Sequence, residues 1–161
     1  MISDVRDVMV SFYFYLNYNK SPSPLRREMR RISDSFLMDR RIDRFLRHHV
    51  PRWKSHVQAW QHSGQITHLL RYRDLLQNTA NELADAIDSL GVTVDRARID
   101  EAVRRFTFEA LSGGRERGET DNRAFYRRGV VGDHVNYLNQ PHLDYIMREC
   151  ADVLDQFRFL E

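Results

Sequence analysis

Between Asp4 and Tyr18 apolar residues fall at Val5, Val8, Phe12 and Tyr15, the three- and four-residue spacing of a helix. The aromatic content of that stretch predicts burial on more than one side. Ser21, Pro22, Ser23 and Pro24 break the pattern, because each proline disfavours helix in the residue before it and removes a donor. From Leu25 to Val50 the chain is strongly basic, and its apolar positions Met29, Ile32, Phe36, Ile42, Phe45 and Leu46 recur irregularly, which predicts short helices. Pro51, suited to a first helical turn, predicts a new helix with Trp53, Val57 and Trp60 on one side, ending near Ser63 and Gly64.

Gln65 to Arg71 is the one segment that reads as a strand: short, bounded by Gly64, and carrying Ile66, Thr67, Leu69 and Leu70 ahead of Tyr72. Thr79 and Glu82 have capping-box spacing, and Leu83, Ala84, Ile87 and Leu90 form an amphipathic stripe that Gly91 stops. A further helix is predicted from Asp95, with Ile99, Ala102, Val103 and Phe106 inward. A loop rich in glycine and charge runs from Ser112 to Arg128. The last helix, with Pro141 as its first residue, is lined by Leu143, Ile146, Met147, Cys150, Val153, Leu154 and Phe157.

Composition narrows the class. A chain of 161 residues with 42% hydrophobic and 11% aromatic content has the size and apolar fraction of one folded domain. Its formal charge of +2 is too small to argue for nucleic acid. The basic segment Arg26 to Arg52 is interrupted by Glu28, Asp34, Asp39 and Asp43, as on a solvated face. No apolar run approaches bilayer length and Met1 leads into polar sequence, so a cytoplasmic location is expected. Cys150 lies within an apolar helical stripe and reads as a core residue, and a single cysteine excludes a disulfide framework. The seven histidines show no metal spacing, so no metal is expected.

The candidate chemistry lies near the C-terminus. Tyr126, Arg127, Arg128, Gly129, Val130, Val131, Gly132 and Asp133 place two guanidinium groups ahead of a Gly-x-x-Gly-Asp turn. Arg forks bind phosphate oxygens bidentately, and glycines let backbone N–H groups approach them. Short Arg-Arg-Gly strings also occur in solvated loops, so by itself the turn leaves both readings open.

Arg127, Arg128, Gly129, Gly132, Asp133 and Asn136 resemble the Arg-Lys-Gly-x-x-Gly-Asp-Trp-Lys-Asn signature of the cytosolic-type sulfotransferases, with His134 in the Trp position and Val135 in the second Lys position. Asp4 to Ser11, with Phe12 and Tyr13, resembles the family's Arg-Asp-x-Arg-Asp-Val-x-Val-Ser-x-Tyr block. Trp53, His56 and Trp60 resemble its Trp-x-x-His-x-x-x-Trp helix, Arg71 to Leu76 its Tyr-Glu-Asp-Leu segment, and Phe106 to Leu111 its Ser-Phe-x-x-Met element. The matches occur in family order across nearly the whole chain.

The resemblance implies an α/β fold, a parallel sheet flanked by helices, of which this chain supplies a mostly helical part with about one short strand. It implies 3′-phosphoadenosine-5′-phosphosulfate (PAPS) as donor, with Ser11, Arg127, Arg128 and Gly129 at the 3′-phosphate and Tyr72 and Phe108 against the adenine. Phe108 also suits a core. The family's first arginine, eight positions before the serine, falls on Ser3, and no phosphate role passes to Arg6. Trp53, His56 and Trp60 are expected to be packing residues. No Lys-Ser-Gly-Thr-Thr type loop, general-base histidine or catalytic lysine of the family's N-terminal half is matched, so residues 1–161 are expected to be the C-terminal part of one sulfotransferase domain, with little activity alone.

The resemblance implies sulfuryl transfer to a hydroxyl or amine on a small-molecule or carbohydrate acceptor. The alternative is a non-catalytic helical interaction module that pairs with a copy of itself or with a separate N-terminal half.

Overall fold

In the computed structural model the backbone is described for residues 1–19 and 24–160, and side chains for 1–17 and 38–160. The chain divides into two compact units. One comprises Met1–Ser3, Trp60–Asp121 and Tyr126–Val131; the other comprises Asp4–Ala59, Asn122–Phe125 and Gly132–Glu161.

The second unit is helical. Helix α1, Val5–Phe14, is capped by Asp4, whose carboxylate accepts from the Arg6 N–H, and continues into a π-helical turn, Tyr15–Asn19. Its buried face is Val5, Met9, Val10, Tyr13 and Phe14, and the expected Val8, Phe12 and Tyr15 are only half-buried.

Helix α2 runs unbroken over Pro24–His62, where the sequence predicted short helices and a fresh start at Pro51. The side chains of Met29, Ile32 and Phe36, and the predicted break at 21–23, lie outside the described residues. Pro51 removes one i→i−4 hydrogen bond. Ile42, Leu46, Val50 and Val57 nevertheless form one buried stripe in phase on both sides of the proline, so packing holds the helix through the lost bond. Of the expected packing residues on α2, Trp60 and His56 are exposed and Trp53 is half-buried.

Helix α7 spans Gln140–Gln156 and starts one residue before Pro141. Asn139 caps it, exchanging hydrogen bonds with His142. Ile146, Cys150, Val153 and Leu154 are fully buried on it. Lys54 on α2 donates to the Glu149 carbonyl at 2.7 Å and to Asp152 at 2.8 Å on α7.

The first unit carries α3 (Tyr72–Gln77), α4 (Thr79–Asp88), α5 (Arg96–Arg105) and α6 (Phe108–Ser112), with α3 packed on α4 and α4 on α5. The expected strand Gln65–Arg71 contracts to a single parallel bridge between Ile2 and Arg71. The Ile2 N–H donates to the Leu70 carbonyl at 2.7 Å and the Tyr72 N–H to the Ile2 carbonyl at 2.8 Å. One short neighbour cannot extend a parallel ladder, because parallel strands need partners along their length.

The expected capping box also differs. Thr79 is the first residue of α4 rather than its cap, and its hydroxyl donates back to the Leu75 carbonyl. Asp95, where the sequence starts this helix, is its cap and accepts from the Ala97 N–H. Among the described residues only Ile2, Ile99 and Phe108 of this unit's apolar side chains are buried, whereas Phe106, expected inward, is 65% exposed.

Candidate 3′-phosphate loop

Thr107 caps α6, accepting from the Ala110 N–H, and so sets Phe108 as the first residue of that helix. The Phe108 ring, 8% exposed, lies directly against Gly129. A Cβ added at Gly129 would come within 2.4 Å of Phe108 Cδ2 and 2.7 Å of Cε2, and Gly129 has φ +67°. Both the space and the left-handed backbone therefore require glycine there. Nearly all of the ring is used inside the unit, leaving little face open for stacking.

The loop from Gly113 to Arg128 is closed on itself. Gly118 N–H donates to the Arg128 carbonyl at 2.9 Å, and Arg128 Nε returns a bond to the Gly118 carbonyl at 2.9 Å. The Asp121 N–H donates to the Arg127 carbonyl at 3.1 Å. Residues 115–128 contain five arginines against three acids, so the loop has a local excess of positive charge. Arg127, Arg128 and Gly129 are half-buried, and the reciprocal bond with Gly118 fixes the stem of the Arg128 side chain.

Tyr72 is positioned by another device, the Ile2–Arg71 bridge that precedes α3, and is half-buried. These five residues belong to the first unit. Ser11 belongs to the second, exposed on α1. Arg6 is committed to structure: its Nε bonds both Asp4 oxygens, at 3.0 and 2.9 Å, and its Nη2 reaches the Phe159 carbonyl at 2.7 Å.

The sequence did not reveal a clamp on the turn that follows the loop. Asp7 of α1 accepts from the Gly132 N–H at 2.7 Å, the His134 N–H at 3.0 Å and His134 Nδ1 at 2.9 Å. Burial pushes the Asp7 carboxyl up, but the hydrogen bonds from His134 and from the Gly132 and His134 amides outweigh it and hold Asp7 below its ordinary 3.8. Asp133, buried beside His134, accepts from the Asn136 amide at 2.9 Å in the 3₁₀ turn Asp133–Asn136. His49 packs its ring on Phe12 and Phe45. Among the described residues no group of His, Cys, Asp and Glu is arranged to hold a metal ion.

In this mostly helical chain the arginine-glycine turn closes against a buried aromatic ring. The sulfotransferase domain family matches residues 1–158, and the chain belongs to that family. Among solved structures it is similar in fold to the mouse sulfotransferase SULT7A1 complexed with PAP. The TM-score is 0.68 at 17% identity, covering 99% of this chain and 62% of the mouse chain. No curated protein matches the sequence. Family membership supports the α/β assignment, to which this chain contributes mostly helices. Among the described residues no helix is long and apolar enough to cross a membrane.

Proposed function

We propose that this chain carries the 3′-phosphoadenosine-recognition side of a PAPS-dependent sulfotransferase domain. The observation that carries the reading is the Arg127–Arg128–Gly129 turn, its glycine held at φ +67° under Phe108 and its carbonyls bonded within the loop. Such a turn offers two guanidinium groups and closely approachable backbone to a dianionic phosphate. The mouse relative's complex with PAP supports the same ligand class here. Within the same unit, Tyr72 would add an aromatic face with a polar end. The burial of Phe108 favours a role in shaping the loop over open stacking.

The reaction proposed for the whole domain is in-line sulfuryl transfer from PAPS to an acceptor hydroxyl or amine. The segments that would hold the 5′-phosphosulfate and supply a base are not matched in this sequence, and the chain spans 62% of the mouse structure. PAPS turnover by this chain alone is therefore expected to be negligible. A thermal-shift titration with 3′,5′-adenosine bisphosphate tests the reading. Ligand at about a hundred times its Kd stabilises the native form by about 2.7 kcal/mol, and Arg127→Ala should remove that shift. A flat melting temperature up to millimolar nucleotide would overturn the reading.

A further inference from the structure

In the sequence Arg115 is one of several charges in a basic loop; in the fold its guanidinium meets the backbone just ahead of Arg128. Its Nη1 donates to the Arg127 carbonyl at 3.0 Å and more distantly to the Glu119 carbonyl at 3.4 Å, and its Nη2 donates to the Tyr126 carbonyl. Its Cζ lies over the Phe108 ring, 5.6 Å from the centroid. The same guanidinium thus touches the ring that packs on Gly129 and the two carbonyls that immediately precede Arg128.

The consequence follows from peptide geometry. Among the described residues no peptide bond is cis, and in a planar trans peptide the C=O and the following N–H point in opposite directions. Gathering the Tyr126 and Arg127 carbonyls toward Arg115 turns the N–H groups of Arg127 and Arg128 toward the other side of the chain. A planar fork can capture two successive carbonyls at once, whereas a lysine ammonium is a point donor. We propose that Arg115 is the positioning residue of the phosphate loop, fixing the orientation in which residues 127–129 meet a 3′-phosphate. This rests on the 3′-phosphate reading given above.

A purely structural role is separable from a positioning one. The reciprocal Gly118–Arg128 bonds and the Asp121–Arg127 bond do not involve Arg115, so the loop retains closure without it. The test is calorimetric affinity for 3′,5′-adenosine bisphosphate and for adenosine 5′-monophosphate, in the wild-type chain and in Arg115→Gln. Both ligands share the adenosine 5′-phosphate, so any loss of folded fraction cancels in the ratio of their affinities. The wild type should prefer the bisphosphate, and Arg115→Gln should cut that preference about tenfold, the worth of one charge-assisted contact. If Arg115→Gln yields no folded protein, Arg115→Lys decides: its one nitrogen, without the planar fork, should also lower the preference, by less. An unchanged preference in the variant overturns the inference alone. Equal wild-type affinities for the two nucleotides overturn the phosphate reading and the inference with it.

Discussion

Replacing Gly129 by alanine tests the packing on which the loop depends. The new methyl would sit 2.4 Å from Phe108 Cδ2, 2.7 Å from Cε2 and 3.0 Å from Cγ, well inside van der Waals contact. Overpacking of a buried ring costs about 1–3 kcal/mol. Alanine held at φ +67° adds about 1–2 kcal/mol, offset by about 0.4–1 kcal/mol because alanine has less freedom to lose than glycine. The net expectation is a destabilisation of about 1–4.5 kcal/mol, read as a melting-temperature fall of about 2–18 °C for a chain of this size. Far-UV circular dichroism during heating measures it. The double variant Gly129→Ala with Phe108→Ala removes the clash, so the two changes should be non-additive by at least about 1 kcal/mol. A melting temperature unmoved in Gly129→Ala, or strictly additive effects, would refute the Phe108–Gly129 contact.

Further expectations follow from the second unit. Asp7 is held below its ordinary value, so its contribution is complete above about pH 4 and is lost as pH falls through the folded value. Asp7→Asn should cost about 1–3 kcal/mol at neutral pH and flatten the acid limb of melting temperature against pH, and an acid limb unchanged from wild type would contradict the clamp. The Cys150 thiol is fully buried, and burial pushes it up to about 11. Iodoacetamide should therefore label it only on denaturation, and mass spectrometry showing equal labelling of the native protein would count against that packing. Arg158 takes φ 55° just beyond the end of α7. Arg158→Gly should raise stability by about 0.5–1 kcal/mol, and a loss of stability would show that the left-handed backbone is not strained.

What could be read from sequence was whatever one element decides for itself. The helix start at Asp95 and most of the apolar stripe of α7, from Ile146 through Cys150, Val153, Leu154 and Phe157, depend on neighbours within a few residues and appear as expected, while Leu143 and Met147 are half-buried. The continuity of α2 was hidden because Pro51 has a local preference for a helix start, while the buried stripe from Ile42 through Val57 that overrides it is a tertiary fact. The strand at Gln65–Arg71 failed for the complementary reason: its pattern was adequate, but a strand exists only with partners and Ile2 supplies a single bridge. Phe106 and Leu90 have helical spacing yet stand exposed, since periodicity names a face without naming what covers it.

The site shows the same division. The Arg127, Arg128 and Gly129 string was visible because glycine and arginine have specific local chemistry. The Asp7 clamp joins residues 125 and 127 positions apart, and Arg115 acts on carbonyls 11 and 12 positions away. Neither pairing leaves a periodic trace. His134, noted only as a departure from the Trp of the family signature, becomes intelligible as the donor that meets Asp7.

The central claim is that the loop at Arg127 recognises a 3′-phosphate. Isothermal titration of 3′,5′-adenosine bisphosphate into the wild-type chain and into Arg127→Ala tests it most directly. One saturable site in the wild type, weakened about tenfold or more in the variant, is the predicted result. Equal affinity in both proteins, or no binding to either, would contradict it.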